Sequence, residues 1–475
     1  MSDKESVERR EEAKGNTVED RTRRTLSRGS VSPGLERVRE RAGKDRKERF
    51  TTLLHHVDLD QLRTAFSRLK RDAAPGADGI RWEEYEHNLE VNLVDLHGRV
   101  HRGAYRATPS RRKFIPKDDG RMRPLGVAGL EDKIVQRAVV EVLNAIYEGD
   151  FLGFSYGFRP KRSQHDALDA LAVGIIQGKV NWILDVDVQS FFDSVDHSWL
   201  IRFIEHRVGD PRMIRLIRKW LKAGVVDEGQ WVATDEGTPQ GSVISPLLSN
   251  VYLHYVFDLW AQQWRQRHAG GSVIYVRYAD DMVVGFEYED DAQRFLTDLR
   301  ARLEAFALSL HPDKTRLLEF GRFAAERRRK RGLGKPETFN FLGFTHICGR
   351  SRTGRFLLMR KTRRDRMRFR LRAIKTELRR RMHRPVGEQG QWLGQVVRGY
   401  FAYHAVPTNS RSLSAFRYHV TELWRRTLRR RGQRDRSTWQ RMGRLEATYL
   451  PTARILHPWP TVRFAVNHPR WKPDA

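Results

Sequence analysis

Two adjacent carboxylates, Asp280 and Asp281, stand in the middle of an otherwise apolar ribbon that runs from Val273 to Phe286. Runs rich in Val, Ile and Tyr flank Tyr278-Ala279-Asp280-Asp281, a pattern that predicts an antiparallel hairpin. A hairpin chosen for stability carries Asn-Gly or Gly-X at its centre, and this centre has no glycine. Neighbouring carboxylates repel unless a cation lies beside them, and a hard divalent ion such as Mg²⁺ suits oxygen ligands. The alternative is a solvated acidic turn.

A second acidic stretch has the same character. In Trp182-Ile183-Leu184-Asp185-Val186-Asp187-Val188, strand alternation puts Trp182, Leu184, Val186 and Val188 on one face and Ile183, Asp185 and Asp187 on the other. A carboxylate on an apolar strand is costly unless it binds something. Just beyond, Phe191 and Phe192 supply consecutive aromatics. One reads as core and the other as a candidate to close over a nucleotide sugar.

Cations and close-approach loops accompany these acids. The stretch from Arg111 predicts a basic β-hairpin turning at Asp119-Gly120, with Lys117, Arg121 and Arg123 around its tip. Such a cluster suits a triphosphate or a template backbone, a solvated hairpin being the alternative. Gly237-Thr238-Pro239-Gln240-Gly241 opens an apolar helix, and its glycines let backbone approach a ligand. Placed between the two acid-bearing strands, this loop is a candidate base-pair platform. Lys314, in Leu310-His311-Pro312-Asp313-Lys314-Thr315, is a candidate proton donor to a departing pyrophosphate, or else a surface lysine.

The elements that must hold these groups are legible as patterns. Leu59, Leu62, Phe66 and Leu69 predict a short amphipathic helix, and Ile134 to Ile146 a long one with a wide apolar stripe. Ser163 and Asp166 predict a capping box opening a helix that Gly178 stops. Residues 199–223 read as a helical pair, Asp290 to Phe306 as an amphipathic helix and Thr338 to Phe344 as an apolar strand. Arg360 to Arg384 holds thirteen Lys or Arg against two acids on a helical stripe, which favours an RNA-facing surface over a self-repelling solvated one.

Composition bounds the rest. With 475 residues the chain has room for two or three cores, and its 89 Lys and Arg against 59 acids give a formal charge of +30. Nucleic acid is the partner such a charge predicts. No stretch has the length of an apolar membrane span or the pattern of a signal peptide, so a cytoplasmic protein is expected. The single Cys348 excludes an internal disulfide and a multi-cysteine zinc module. Three acids, a basic hairpin and a polyanionic partner together predict nucleotidyl transfer, with two Mg²⁺ ions serving a 3′-hydroxyl and a leaving pyrophosphate.

The ordered blocks Asp187-Val-Gln-Ser-Phe-Phe-Asp193, Gly237-Thr-Pro-Gln-Gly241 with Ser245-Pro-Leu-Leu-Ser-Asn250, and Tyr278-Ala-Asp-Asp281 resemble those of bacterial group II intron reverse transcriptases. Ala74-Pro-Gly-Ala-Asp-Gly79, Arg123-Pro-Leu-Gly126, Ser155-Tyr-Gly-Phe-Arg-Pro160, Phe341-Leu-Gly-Phe344 and Arg398-Gly-Tyr-Phe-Ala-Tyr-His404 extend the likeness over residues 48–475.

The resemblance implies an α+β right-hand polymerase: a basic mobile arm over residues 1–48, fingers and palm over 49–348, a helical thumb or maturase domain over 349–444, and a basic DNA-binding extension over 445–475. It implies Asp187, Asp280 and Asp281 as Mg²⁺ ligands, with Asp185 structural. It further implies Lys117 and Arg123 on the incoming dNTP, Gln240 on the nascent base pair, Lys314 as proton donor, and Phe192 rather than Phe191 as the gate against a ribose 2′-hydroxyl. Implied partners are intron RNA as template and splicing substrate, and a DNA primer or target. The alternatives are a splicing cofactor with little polymerase activity and a domesticated reverse transcriptase in defence. Gln189 and Ser242 depart from the family's usual residues, and the one-cysteine chain looks like the form without the C-terminal endonuclease module.

Overall fold

A computed structural model describes residues 32–116, 122–234, 236–432 and 438–468. The Pro33–Lys44 helix, capped by the Ser32 hydroxyl, turns Leu35, Val38 and Ala42 inward and packs on the Leu130–Asp150 helix. The buried Arg207 guanidinium ties this segment down by donating to the carbonyls of Ala42, Asp45 and Glu48 while pairing with Asp150 at 2.9 Å. The mobile arm expected over residues 1–48 therefore does not extend to residue 48. Apolar positions spaced by three and four find a buried partner from residue 35, whereas residues 1–31 lie outside the described residues.

β1 (Ser110–Pro116) and β2 (Met122–Val127) form the basic hairpin, in register from Arg111 opposite Val127 to Pro116 opposite Met122. β3 (Trp182–Asp187) follows the Gln164–Gln177 helix, which opens with the expected Ser163–Asp166 capping box and ends at Gly178. After the helices His197–Glu205 and Pro211–Leu221 come β4 (Val225–Asp227) and β5 (Gln230–Val232), which complete a sheet of order β2-β1-β4-β5. β6 (Val273–Tyr278), β7 (Asp281–Phe286) and β8 (Arg316–Glu319) join β3 in a second sheet of order β6-β7-β3-β8.

This second sheet is covered on both faces, which is why its strands are so apolar. Leu184, Val186, Val284 and Phe286 enter the large core with the Leu130–Asp150 helix, while Ile183, Val276, Val283 and Leu318 enter a separate core on the other side. The alternation read from the sequence is the alternation observed. Asp187 and Asp281 sit at the end of the sheet where these apolar rows stop.

The expected strand over Thr338 to Phe344 is instead a tight corner: β9 (Phe339–Phe341) and β10 (Phe344–Arg350) are joined through Leu342 and Gly343, both at positive φ. β11 (Phe356–Thr362) pairs along all of β10. The domain boundary expected at residues 348–349 thus falls inside a hydrogen-bonded hairpin, because the change in composition marks surface charge and not where the core ends. The helices Arg364–Arg380, Val386–His404, Ser410–Arg429 and Trp439–Tyr449 enclose a third core around Leu378, Val397, Phe416 and Trp424. A last helix, Pro460–Asn467, returns to the Gln164–Gln177 helix. There Arg463 and Arg360 both pair with the buried Asp169, at 2.7 and 2.9 Å. No helix among the described residues is long and apolar enough to cross a membrane.

Candidate active site

Strand pairing brings the acids together. Tyr278 and Asp281 close the β6–β7 hairpin, leaving Ala279 and Asp280 as a two-residue turn. β3 lies against β7 in a register that sets Asp187 opposite Asp281. Residues paired in this way have Cα atoms about 4.5–5.5 Å apart. Asp280 is the next residue in the turn, so all three acidic residues sit at one end of the sheet.

The Leu310–Thr315 segment is drawn onto the same point. The Asp187 carbonyl accepts from the His311 N–H at 2.8 Å and the Thr315 hydroxyl at 3.3 Å. The Lys314 ammonium reaches the two Asp187 carboxylate oxygens at 3.4 and 3.3 Å. Lys314 is therefore at the acids and not elsewhere on the surface. Asp185, two residues earlier, faces Arg316 at 3.5 Å. Burial pushes its carboxyl up to about 6 against the opposing Arg316 charge, which fits a structural residue.

A backbone junction joins the basic hairpin to the loop. Gly126 donates its N–H to the Gln240 carbonyl at 2.6 Å, and a Cβ on Gly241, at φ +108°, would stand 2.7 Å from the Gly126 carbonyl. The same loop meets the turn after β3: Thr238 N–H donates to the Phe192 carbonyl at 2.7 Å, and Gly237 N–H to Val195 at 2.8 Å. Ser242 donates to Gln136 of the Leu130–Asp150 helix at 2.8 Å, giving the hydroxyl at this position a partner of its own. Phe191 packs on Tyr252 in the core, and the Phe192 ring is also largely covered, at 6% exposed. Arg123 lies on β2 opposite Ile115. Lys117 and Arg121 lie outside the described residues.

Sequence reasoning missed the scaffold behind the hairpin. Arg277 is fully buried and donates from Nε and Nη2 to both carboxylate oxygens of Asp258, at 2.7 and 2.5 Å. Its Nη1 donates to Asn250 at 3.0 Å and to the Ala279 carbonyl at 3.2 Å. Asn250 in turn donates to the Gly157 carbonyl at 2.7 Å. Asp258 ends a π-helical turn, His254–Asp258, and such turns recur at functional sites. Opposite charges in two apolar segments, one acid and one arginine, were the available signal.

Among the described residues no group of three or more His, Cys, Asp or Glu side chains is gathered into ion-holding geometry. The expected metal triad is thus present as neighbours in register, with Asp187 paired to a lysine, and not as a closed cage.

The mixed α/β fold, with a carboxylate-tipped sheet linked to a basic hairpin through the Gly237–Gly241 loop, is consistent with the palm and fingers of a polymerase. Residues 115–346 match the family Reverse transcriptase (RNA-dependent DNA polymerase), and the chain belongs to that family. Protein YkfC of Escherichia coli (strain K12) is 35% identical over 315 residues, 59% of this chain and 77% of that protein. Group II intron-encoded protein LtrA of Lactococcus lactis subsp. cremoris is 36% identical over 222 residues, 46% of this chain but 37% of LtrA. An uncharacterized 91 kDa protein in the cob intron of Schizosaccharomyces pombe is 36% identical over 199 residues, 42% of this chain and 24% of that protein.

Proposed function

We propose that this reverse transcriptase copies an intron RNA into DNA by two-metal nucleotidyl transfer, and that the same chain binds that RNA as a maturase to aid splicing and mobility. The observation that carries the chemical part is the β3–β7 register, which sets Asp187 opposite Asp281 with Asp280 beside them. Carboxylate oxygens at the exposed end of a rigid sheet fit hard divalent ions, and Mg²⁺ typically takes one or two protein carboxylates, completing its shell with water and substrate phosphates. Asp187, Asp280 and Asp281 would hold the ions, which when bound activate a 3′-hydroxyl and stabilise the leaving pyrophosphate.

The chain's own groups supply the rest. Lys314, at Asp187, holds a proton for the departing pyrophosphate. Arg123, with Lys117, binds the triphosphate of the dNTP. Gln240 supports the nascent base pair from a loop whose backbone is fixed to β2 and to Phe192. Phe192 limits space at the sugar. The maturase part rests on the intron-encoded relatives and on the arginine-rich Arg364–Arg380 helix, which we read as the thumb. Residues 445–475 would contact target DNA.

Primer extension on an RNA template with purified protein and Mg²⁺ tests the reading. Long DNA products from wild type and none from Asp280→Ala are expected. Wild-type protein that binds the intron RNA tightly yet extends no primer would instead be a splicing cofactor.

A further inference from the structure

The arginine-rich helices carry one feature that charge alone does not explain. Tyr418 and Trp439 lie nearly parallel and offset, with ring centroids 5.8 Å apart and planes 11° from parallel. Both rings are exposed, at 54% and 44%. The Arg425 guanidinium lies 4.6 Å from the Trp439 centroid. Two large aromatics left accessible side by side forgo part of the stabilisation that burial would give them.

The stack is not needed to join the helices that carry it. Leu413, Phe416, Val420 and Trp424 bury the opposite face of the Ser410–Arg429 helix, and Met442 buries the inner face of Trp439–Tyr449. Across the joint, Arg417 pairs with Glu446, and Thr421 donates to Glu446 at 3.0 Å. Thr438 caps the second helix at the Arg441 N–H, fixing the turn from which Trp439 projects. The two residues are held from behind and remain exposed, with Arg425 over the Trp439 ring.

We infer that Tyr418 and Trp439 form a stacking platform for an unpaired RNA base, with the Arg425 guanidinium beside it adding positive charge toward a flanking phosphate. An inference of this kind rests on the maturase reading above. Aromatic rings flanked by cations are the chemistry that recognises single-stranded nucleic acid, because every base has a face to stack and every linkage a charge. A duplex hides its base faces, whereas folded RNA presents them in loops and bulges. The helices that carry the stack bury their inner faces in the third core, whereas the strands that bring Asp187 and Asp281 together enter the other two.

The test uses full-length protein whose polymerase cleft is first loaded with an RNA–DNA primer-template. Binding of a second, short oligo(A) RNA is then followed across a salt series. Tyr418→Leu and Trp439→Leu should weaken that binding by about 5- to 150-fold, the range that stacking of one base supplies. The slope of log K against log salt should not change, because no cation is lost. Tyr418→Phe should restore binding, and primer extension by every variant should match wild type, showing an intact fold. Unchanged oligo(A) binding, or an equal loss on an RNA duplex, overturns the inference. A loss on the corresponding DNA oligomer with none on the RNA assigns the platform to DNA and overturns it for RNA. Failure of the polymerase reading would appear separately, as absent extension by the wild type.

Discussion

Arg277 and Asp258 face each other in a space closed to solvent: both side chains are 0% exposed, and two hydrogen bonds join guanidinium to carboxylate. Burial alone would raise the Asp258 carboxyl. The Arg277 charge and its hydrogen bonds, with the His254 imidazole 3.8 Å away, more than offset it and hold the group below its ordinary range. Because Arg277 also donates to the Ala279 carbonyl, the pair is the fixed post from which the acidic turn is hung.

Removing one partner should therefore cost more than removing both. Asp258→Ala leaves a buried, uncompensated guanidinium and should destabilise the fold by about 3–5 kcal/mol. Combining it with Arg277→Met should recover part of that loss, measured by urea unfolding of the two singles and the double. The folded pKa of Asp258 is depressed, so its contribution is present above the ordinary carboxylate pKa and is lost as pH falls through the folded value. A double variant no more stable than Asp258→Ala would sink the coupling.

Gly157 presses directly on the same turn. A Cβ built on it would lie 2.2 Å from the Ala279 nitrogen, closer than any real side chain approaches backbone. Gly157→Ala must push the Ala279–Asp280 turn or the Tyr156–Phe158 segment aside, and displacement of about 1 Å at a reacting centre can cost about 100-fold. Primer extension should fall by about that factor while intron RNA binding holds. Full extension by Gly157→Ala would show that the turn has slack the structure denies it.

How legible this site was follows from what each residue signals. Asp187, Asp280 and Asp281 stand out in the sequence as candidates because acids among apolar strand residues are costly unless paired, and period-two alternation matches the observed β3 faces. Gly157 and Asn250 were visible within motifs, but their task is to touch the turn from distant segments, and no local pattern encodes that contact. The Asp258 and Arg277 pair was half visible, as two misplaced charges. The Leu342–Gly343 corner looks like strand in the sequence because its flanks are apolar and extended, and only its positive φ values break the run. The Pro33–Lys44 helix was masked by the charges around its three apolar positions.

Acid should unfold the protein through buried histidines as well as carboxylates. His346 is fully buried and stacks on Phe339 with centroids 4.7 Å apart; burial, then the Arg360 charge, push its pKa down to about 3. His404 is pushed to about 3 by burial and by Arg366 and Arg370. The unfolded chain protonates such a group near 6.5, so it binds more protons than the folded chain between about 3 and 6.5. Stability attributable to each is lost as pH falls below 6.5, at about 1.4 kcal/mol per unit. His346→Leu should remove about 2 kcal/mol of the difference in unfolding free energy between pH 7 and pH 5. Equal pH dependence in variant and wild type would mean that His346 titrates in the folded protein as it does in the unfolded chain.

Lys314 separates two explanations of one contact. Its ammonium lies 3.3 Å from Asp187, with side chains 45% and 37% exposed. An ion pair so exposed stabilises a fold by about 0–1 kcal/mol, so stability should barely move when it is removed. A proton donor should matter far more, since positioned acid catalysis contributes about 100- to 10,000-fold. Lys314→Ala should lower the single-turnover rate of nucleotide incorporation into that range with little change in dNTP KM. Lys314→Arg is the deciding variant, because guanidinium keeps the charge beside Asp187 yet does not release a proton at working pH. Donation predicts that Arg restores little of the rate and that the alkaline limb of the pH–rate profile disappears. Recovery with Arg would instead make Lys314 an electrostatic brace for Asp187.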